Sequence, residues 1–164
     1  MPTLPDFKTI LYATDLGDHT KPVFRTALSL ARKYEAKIIM LHVVEPMSSA
    51  IQAVVDTYLT EIDAKKIYKD NLQAVLGKMK QRLKDFCRDE LDSHVFKSSH
   101  VDEMLVVSGR PSEEIIKVAE EHRADLIVLG KSSRSVLGSD VSGSTSRRVS
   151  RYSSTTPVLV VPNQ

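Results

Sequence analysis

Cysteine is almost absent from this sequence: Cys87 is the only one among 164 residues. A single thiol excludes a disulfide within the chain and is typical of a reducing compartment. The chain also lacks an apolar run long enough to span a membrane, and Met1–Phe7 lacks the basic and apolar segments of a signal peptide. We therefore expect a cytoplasmic protein that folds as one domain over residues 1–164.

An excess of charge of one sign is missing as well. Lys and Arg together number 23 against 21 for Asp and Glu, which leaves a formal net charge of +2. Proteins that bind nucleic acids or anionic membrane surfaces usually carry a strong positive excess. The sequence therefore predicts neither a nucleic acid nor a membrane as a partner.

The residue patterns of common catalytic and metal sites are not evident either. No Ser/His/Asp arrangement or pair of carboxylates can be assigned to acid–base chemistry. The histidines have no mutual spacing typical of metal ligands; they are His19, His42, His94, His100 and His122. We therefore predict no catalytic residue and no metal held by the protein alone.

What the sequence does contain is an alternation of short apolar runs with amphipathic segments. The runs are typical of strands covered on both faces; they are Phe7–Thr14, Ile38–Val44, Met104–Val107, Leu126–Leu129 and Pro157–Val161. Between them, helical spacing of apolar residues predicts helices over Lys21–Lys33 and from Ala64. The second of these has an apolar stripe from Leu72 to Leu91 that includes Cys87 and should lie on the sheet. Ser112-Glu113-Glu114 is predicted to cap a further helix, and another is predicted from about Ser144. Ile51–Leu59 stays open between a short helix and a flexible insertion, as does the question whether Glu45–Asp63 folds over a site.

This alternation predicts an α/β protein with an open, doubly wound, mainly parallel five-stranded sheet and helices on both faces (Rossmann-like). Ligands of such sheets bind beyond the carboxyl ends of the strands, where the strand order reverses. The first strand ends at Ala13-Thr14-Asp15 and the fourth at Gly130. If these strands are neighbours, Asp15 and the loop from Gly130 to Thr145 share one crevice.

The segment that follows Gly130 has the composition of an anion site. Ser, Gly and basic residues lead to Gly143-Ser144-Thr145, where a helix is predicted to begin. Such a loop presents backbone N–H groups and the positive end of a helix dipole to a phosphate. Simpler interpretations stay open: Asp15 as a turn residue that caps the first helix, and Ser144 and Thr145 as helix caps.

Five short motifs, in this order and spacing, are similar to those of a known family. They are Ile10-Leu11-Tyr12-Ala13-Thr14-Asp15, Leu41-His42-Val43-Val44, Gly109-Arg110-Pro111, Ala124-Asp125-Leu126-Ile127-Val128-Leu129-Gly130 and Pro157-Val158-Leu159-Val160-Val161. Over essentially its whole length the chain resembles the universal stress protein family. The resemblance implies a dimeric stress-response protein that regulates by binding ATP.

The nucleotide-binding branch of that family carries a glycine, two residues, a second glycine, nine residues, and a glycine followed by Ser or Thr. Here Gly130 and Gly143-Ser144 match the first and last positions with the count intact, and Ser133 stands in place of the second glycine. A Cβ there costs about 1 kcal/mol if the position needs a positive φ, although the hydroxyl can donate to a phosphate. The other branch lacks these glycines and does not bind ATP, so a dimeric interaction module without nucleotide is the alternative.

The resemblance also implies which residues hold the nucleotide. Ala13, Thr14 and Asp15 would line the adenosine end, and Val43 would pack against the base. The phosphates would be held by Gly130, Ser133, Gly143, Ser144 and Thr145, with charge added by Lys131, Arg134 and Arg147. Mg²⁺ or Mn²⁺ would arrive with the triphosphate.

Two further implications concern assembly and catalysis. The last strand, Pro157–Val161, would pair with its copy in a second subunit, and an apolar edge strand gives a physical reason for such a homodimer. An enzyme that activates a substrate with ATP would need a Ser-Gly-Gly-type loop where this chain has Thr14-Asp15-Leu16-Gly17. We therefore expect at most a weak ATPase, and the sequence leaves open which further protein reads its state.

Overall fold

The computed structural model describes residues 3–16, 20–46, 48–58, 61–94, 100–131 and 144–162. Strands and helices follow one another in the predicted order. They are β1 (Thr9–Ala13), α1 (Lys21–Tyr34), β2 (Lys37–Val44), α2 (Ser49–Tyr58), α3 (Glu61–His94), β3 (Val101–Ser108), α4 (Pro111–Glu121), β4 (Leu126–Gly130), α5 (Ser144–Tyr152) and β5 (Val158–Val161). None of these helices is both long and apolar enough to cross a membrane.

The strands form one five-stranded sheet in the order β3-β2-β1-β4-β5, and every adjacent pair is parallel. From β1 the chain builds outward through β2 to β3, then returns past β1 to add β4 and β5 on the other side. The predicted doubly wound α/β fold is therefore confirmed. The strand order reverses between β1 and β4, and these two strands are neighbours, as the predicted site requires.

The sheet is covered on both faces because successive side chains of a strand point in opposite directions. Ile10 and Tyr12 of β1 enter the core formed with α1 and α3. Leu11, between them, enters the core formed with α4 and α5. This two-sided burial explains why the central strands read as continuous apolar runs rather than as alternating patterns.

Helix α3 differs most from its prediction. The apolar stripe was expected to lie on the sheet from Leu72 to Leu91, but burial begins only at Leu83 and continues through Cys87 and Leu91. Val75, on the same stripe, is 38% exposed. Between Leu72 and Leu91 the stripe is therefore fully buried on the sheet only from Leu83, because a helix of 34 residues is longer than the strands it covers.

Cys87 lies in the buried part of α3, between Leu83 and Leu91, and is the small core residue that the stripe predicts. Burial raises the pKa of the Cys87 thiol to about 11. A thiol with so high a pKa stays protonated at neutral pH and is a poor nucleophile. A redox role for Cys87 has no support in its environment.

One buried side chain was not predicted at all. Glu90 of α3 is only 2% exposed, although it lies within the apolar stripe. Its carboxylate accepts a hydrogen bond from Arg25 Nε at 3.1 Å and lies 3.6 Å from Lys21 Nζ. Lys21 and Arg25 are four residues apart on α1, so they occupy the same helix face and reach one carboxylate together.

Several helix and strand boundaries differ from their predictions. Helix α4 begins at Pro111 with Arg110 as its N-cap, so Ser112-Glu113-Glu114 lies inside the helix rather than capping it. Strand β3 runs over Val101–Ser108 instead of Met104–Val107, because its first residues include the exposed Asp102 and Glu103 of an edge strand. Residues 49–58 are helical, so the short helix is the correct alternative for most of Ile51–Leu59.

The change of environment along α3 can be tested with two truncations of the same stripe. Leu83→Ala should lower the free energy of unfolding by about 2–5 kcal/mol, since it removes fully buried methyl groups. Val75→Ala should change it by less than about 0.5 kcal/mol. Urea denaturation followed by circular dichroism measures both values, and equal losses would show that the whole stripe is buried.

Candidate functional site

The carboxyl ends of β1 and β4 lie side by side at one edge of the sheet. Ala13, the last residue of β1, is paired with Leu129 of β4 on one side and with Leu41 of β2 on the other. Strand β4 ends one residue later at Gly130, whereas β2 continues to Val44. Because β1 is the shortest of the three at this edge, the sheet has a notch there, with Ala13 and Thr14 at its base.

Thr14 fixes the backbone at the base of this notch. It is buried; its N–H donates to the Leu41 carbonyl at 2.9 Å, and its Oγ1 accepts a hydrogen bond from Leu16 N–H at 3.0 Å. His42 Nδ1 lies 2.8 Å from the Thr14 carbonyl oxygen, which requires the proton on Nδ1 because a carbonyl only accepts. Leu16 has a φ of 63°, so the chain turns sharply directly after Asp15.

The side chain of Asp15 is exposed at this turn, beside the buried Thr14. Beneath it, Tyr12 is fully buried, and its hydroxyl donates to the Thr20 carbonyl at 3.3 Å. Burial raises the pKa of the Tyr12 phenol well above its usual value; the negative charges of Asp15 and Glu90 add to this, while hydrogen bonding to Thr14 and Thr20 opposes it. The phenol thus remains a neutral donor under the turn.

Val43 forms one side of the notch. It is half-buried and belongs to the part of β2 that extends beyond the end of β1. Ala13 and Val43 both pack against the core on the α4 and α5 face, so their partly exposed surfaces lie on the same side of the sheet. The structure therefore brings together Ala13, Thr14, Asp15 and Val43, four of the residues predicted for the site.

The predicted phosphate loop is described only at its two ends. Gly130 is paired with Val161 of β5, and Lys131 N–H donates to the Val161 carbonyl at 2.9 Å. Ser133, Arg134 and Gly143 lie outside the described residues. The loop ends at Ser144, the first residue of α5, so Thr145 is in the first helical turn rather than in a capping position.

The N-terminus of α5 faces the same edge of the sheet as Gly130. Helix α5 connects two parallel strands, so it returns from their carboxyl ends toward the start of β5. Val149 is buried in the core that α4 and α5 share, and this contact fixes the helix. The amino end of α5, which carries the positive end of the helix dipole, therefore lies at the carboxyl edge of the sheet. Arg147 is exposed one turn into the helix.

Metal coordination by the protein has no evident basis in the described part of the chain. There, no group of three His, Cys, Asp or Glu side chains is close enough to hold a metal ion. The expectation that Mg²⁺ or Mn²⁺ arrives with a triphosphate stays a prediction.

Comparisons with known proteins agree with this architecture. The model of the universal stress protein family matches residues 6–162. A universal stress protein of Thermus aquaticus is 30% identical over 143 residues, which cover 87% of this chain and 90% of that protein.

Two solved structures extend the comparison. The structure of MJ0577, a universal stress protein of Methanocaldococcus jannaschii, has a TM-score of 0.73 at 24% identity, with 97% of this chain and 98% of that chain covered. A universal stress protein in complex with cAMP has a TM-score of 0.58 at 22% identity, covering 97% of this chain and 99% of its own. At these identities, both likenesses concern the fold.

Proposed function

Because this chain belongs to the universal stress protein family, we propose that it binds an adenine nucleotide in the crevice between β1 and β4. ATP with Mg²⁺ or Mn²⁺ is the form that the Gly130 to Gly143-Ser144 spacing favours. The loaded and empty states of the crevice would then make the protein a nucleotide-dependent stress regulator, with a cytoplasmic location as part of the same proposal.

The adjacency of β1 and β4 is the observation that carries this proposal. It places Asp15 and Gly130, which are more than a hundred residues apart in sequence, at the ends of neighbouring parallel strands. Crevices at such reversal points are where doubly wound proteins bind their ligands. The cAMP complex of a protein with this fold supports an adenine nucleotide as the ligand class.

The two ends of the nucleotide would be bound by different chemistry. At the nucleoside end, Val43 and Ala13 offer apolar surface, the Thr14 backbone is held rigid, and the Asp15 carboxylate would accept hydrogen bonds. At the phosphate end, the proposed groups are backbone N–H groups and hydroxyls; they belong to Gly130, Ser133, Gly143, Ser144 and Thr145, with the Arg134 guanidinium nearby in sequence. The metal ion would be held largely by the phosphates, whose charge it neutralises.

We propose binding rather than catalysis. Fast hydrolysis of ATP needs a positioned base or water-orienting group and a clamp for the charge that develops in the transition state. Neither was identified from the sequence. We therefore expect at most slow turnover of bound ATP.

Freshly purified protein should carry adenine nucleotide, which acid release and chromatography can quantify. In calorimetric titrations of stripped protein with MgATP, Asp15→Ala should weaken binding by about tenfold, because a hydrogen bond to a charged group is lost. The matched control is Asp102→Ala, since Asp102 is an exposed carboxylate at the amino end of β3. Absence of both retained nucleotide and ATP binding would refute the proposal.

Ser133 is the specific reason to keep the alternative of an interaction module without nucleotide. If the Cβ of Ser133 holds off the phosphates, Ser133→Gly should create or tighten ATP binding by about fivefold, which corresponds to the roughly 1 kcal/mol strain of a positive φ. The titration used for Asp15→Ala measures this. Equal binding by the natural chain and by Ser133→Gly would mean that the serine is no obstacle.

We also propose that β5 pairs with its copy in a homodimer. Strand β5 is an edge of the sheet, hydrogen-bonded to β4 alone among the described strands. Leu159 and Val160 are 36% and 37% exposed on this edge. Unpaired backbone groups beside exposed apolar side chains favour pairing with another strand, and a twofold axis lets identical edges meet.

Val160→Glu should convert the dimer to monomer, since it would place two like charges in the paired interface. Val75→Glu on α3 is the matched control, because Val75 has nearly the same exposed fraction, 38% against 37%. Sedimentation velocity of both variants measures the assembly state. A Val160→Glu protein that remains dimeric would place the interface elsewhere.

A further inference from the structure

Glu90 is a buried charge that the proposed site does not use directly. It takes a position on the inner stripe of α3, near the buried Cys87 and Leu91, where an apolar side chain would pack without loss of hydration. Its partners Lys21 and Arg25 keep 48% and 45% of their side-chain surface exposed, and half-exposed cations return little of the hydration that a buried carboxylate loses. Stability alone is therefore a weak explanation for a carboxylate at this position.

Two cationic partners of Glu90 belong to the start of α1. Arg25 contacts Oε2 at 3.1 Å and Lys21 lies 3.6 Å from Oε1, so each carboxylate oxygen faces its own cation. Two contacts to one planar group fix its orientation as well as its distance. The carboxylate thus determines where the first two turns of α1 lie relative to α3.

The start of α1 is also the end of the connection that carries Asp15. Thr20, its N-cap, is held through its carbonyl by the Tyr12 hydroxyl at 3.3 Å. At the other end of the connection, the turn at Thr14 and Leu16 is held by the hydrogen bonds described above. The connection that carries Asp15 is therefore held at its two described ends, the end of β1 and the beginning of α1.

Aromatic packing links the same three elements. Tyr12 of β1 stacks on Phe24 of α1 at a centroid distance of 5.3 Å, and Phe24 packs on Phe86 of α3 at 5.4 Å. Phe86 is one helical turn before Glu90, so both contacts of α3 with α1 involve the same part of α3. The apolar contact holds the elements together, whereas the ion pairs specify how they are aligned.

We propose that Glu90 is a positioning residue for the nucleotide site: through Lys21 and Arg25 it sets the start of α1, and thereby the β1–α1 connection on which Asp15 is presented. This inference rests on the proposed function for its consequence, ATP affinity, but its structural content is independent of any ligand. Glu90 is buried between α3 and α1, and its ion pairs with Lys21 and Arg25 are the contacts through which it acts on the start of α1.

Glu90→Gln tests the proposal because it keeps the shape of the side chain and removes its charge. Hydrogen–deuterium exchange of the full-length protein should show faster exchange in residues 12–25 and unchanged exchange in β4 and β5. In titrations with MgATP, the same variant should bind about tenfold more weakly, the size expected when a remote contact biases a site.

Two further variants separate positioning from general stability. Leu83→Ala removes buried packing from the same helix and should lower the melting temperature without selective exchange in residues 12–25 and without weaker ATP binding. The double variant Arg25→Leu with Glu90→Leu should recover the melting temperature, because an apolar pair replaces the ion pair, while exchange stays fast and binding stays weak. This double variant also provides the test if Glu90→Gln fails to fold.

The exchange and binding results test the positioning role of Glu90 and the proposed binding of ATP separately. Selective exchange together with weaker binding supports the positioning role. The positioning role is overturned if Glu90→Gln speeds exchange in residues 12–25 no more than in β4. It is also overturned if the double variant regains full ATP affinity. If the unmodified protein binds no ATP, the proposed function fails, and the exchange data alone decide whether Glu90 sets the connection.

Discussion

The parallel pairing of β1 with β4 is the constraint on which the other features of this molecule depend. Parallel strands need a long crossover, so every strand carries a helix to the next, and helices cover both faces of the sheet. Ile10, Leu11 and Tyr12 are consequently buried without exception. The same pairing places the carboxyl end of β1 beside that of β4. A short central strand between longer or equal neighbours then leaves a notch whose base is backbone, and this is where polar groups collect.

Much of the fold could be predicted from the sequence because burial on two faces leaves a strong local signal. The central strands are continuous apolar runs, and α1 and α4 have clear helical spacing. The errors occur where burial depends on distant parts of the chain. The sequence pattern places the beginning of β3 too late because Asp102 and Glu103 interrupt its apolar run. An edge strand tolerates such exposed charges. The stripe on α3 is periodic beyond the end of the sheet, and periodicity alone does not tell which part of a stripe is covered.

The site was predictable in outline and less so in detail. That Ala13, Thr14 and Asp15 share an edge with Gly130 follows once β1 and β4 are neighbours; the alternating pattern leaves this as a condition, and the strand order meets it. The hydrogen bonds of Thr14 with Leu41, His42 and Leu16 could not be predicted from the sequence, since two of these residues belong to another strand. Glu90 was missed because a carboxylate in an apolar stripe reads as a surface residue. The signal available was the spacing of Glu90, which lies seven, four and three residues after Leu83, Phe86 and Cys87 and therefore on the same helix face.

Helix α3 has 34 residues, a length of about 51 Å. Its side chains from Leu72 to Arg82 are exposed or partly exposed, and burial follows from Leu83. The stretch from Leu72 to Arg82 therefore draws less of its stability from the sheet than the part that follows. Residues in this portion are free to vary in number and type at small cost to the fold, as insertions are tolerated where few contacts are broken. This stretch of α3 can thus change in length or surface residues during evolution while the crevice at the strand ends keeps its shape. The fold thereby has a separate surface on which a new binding specificity can arise.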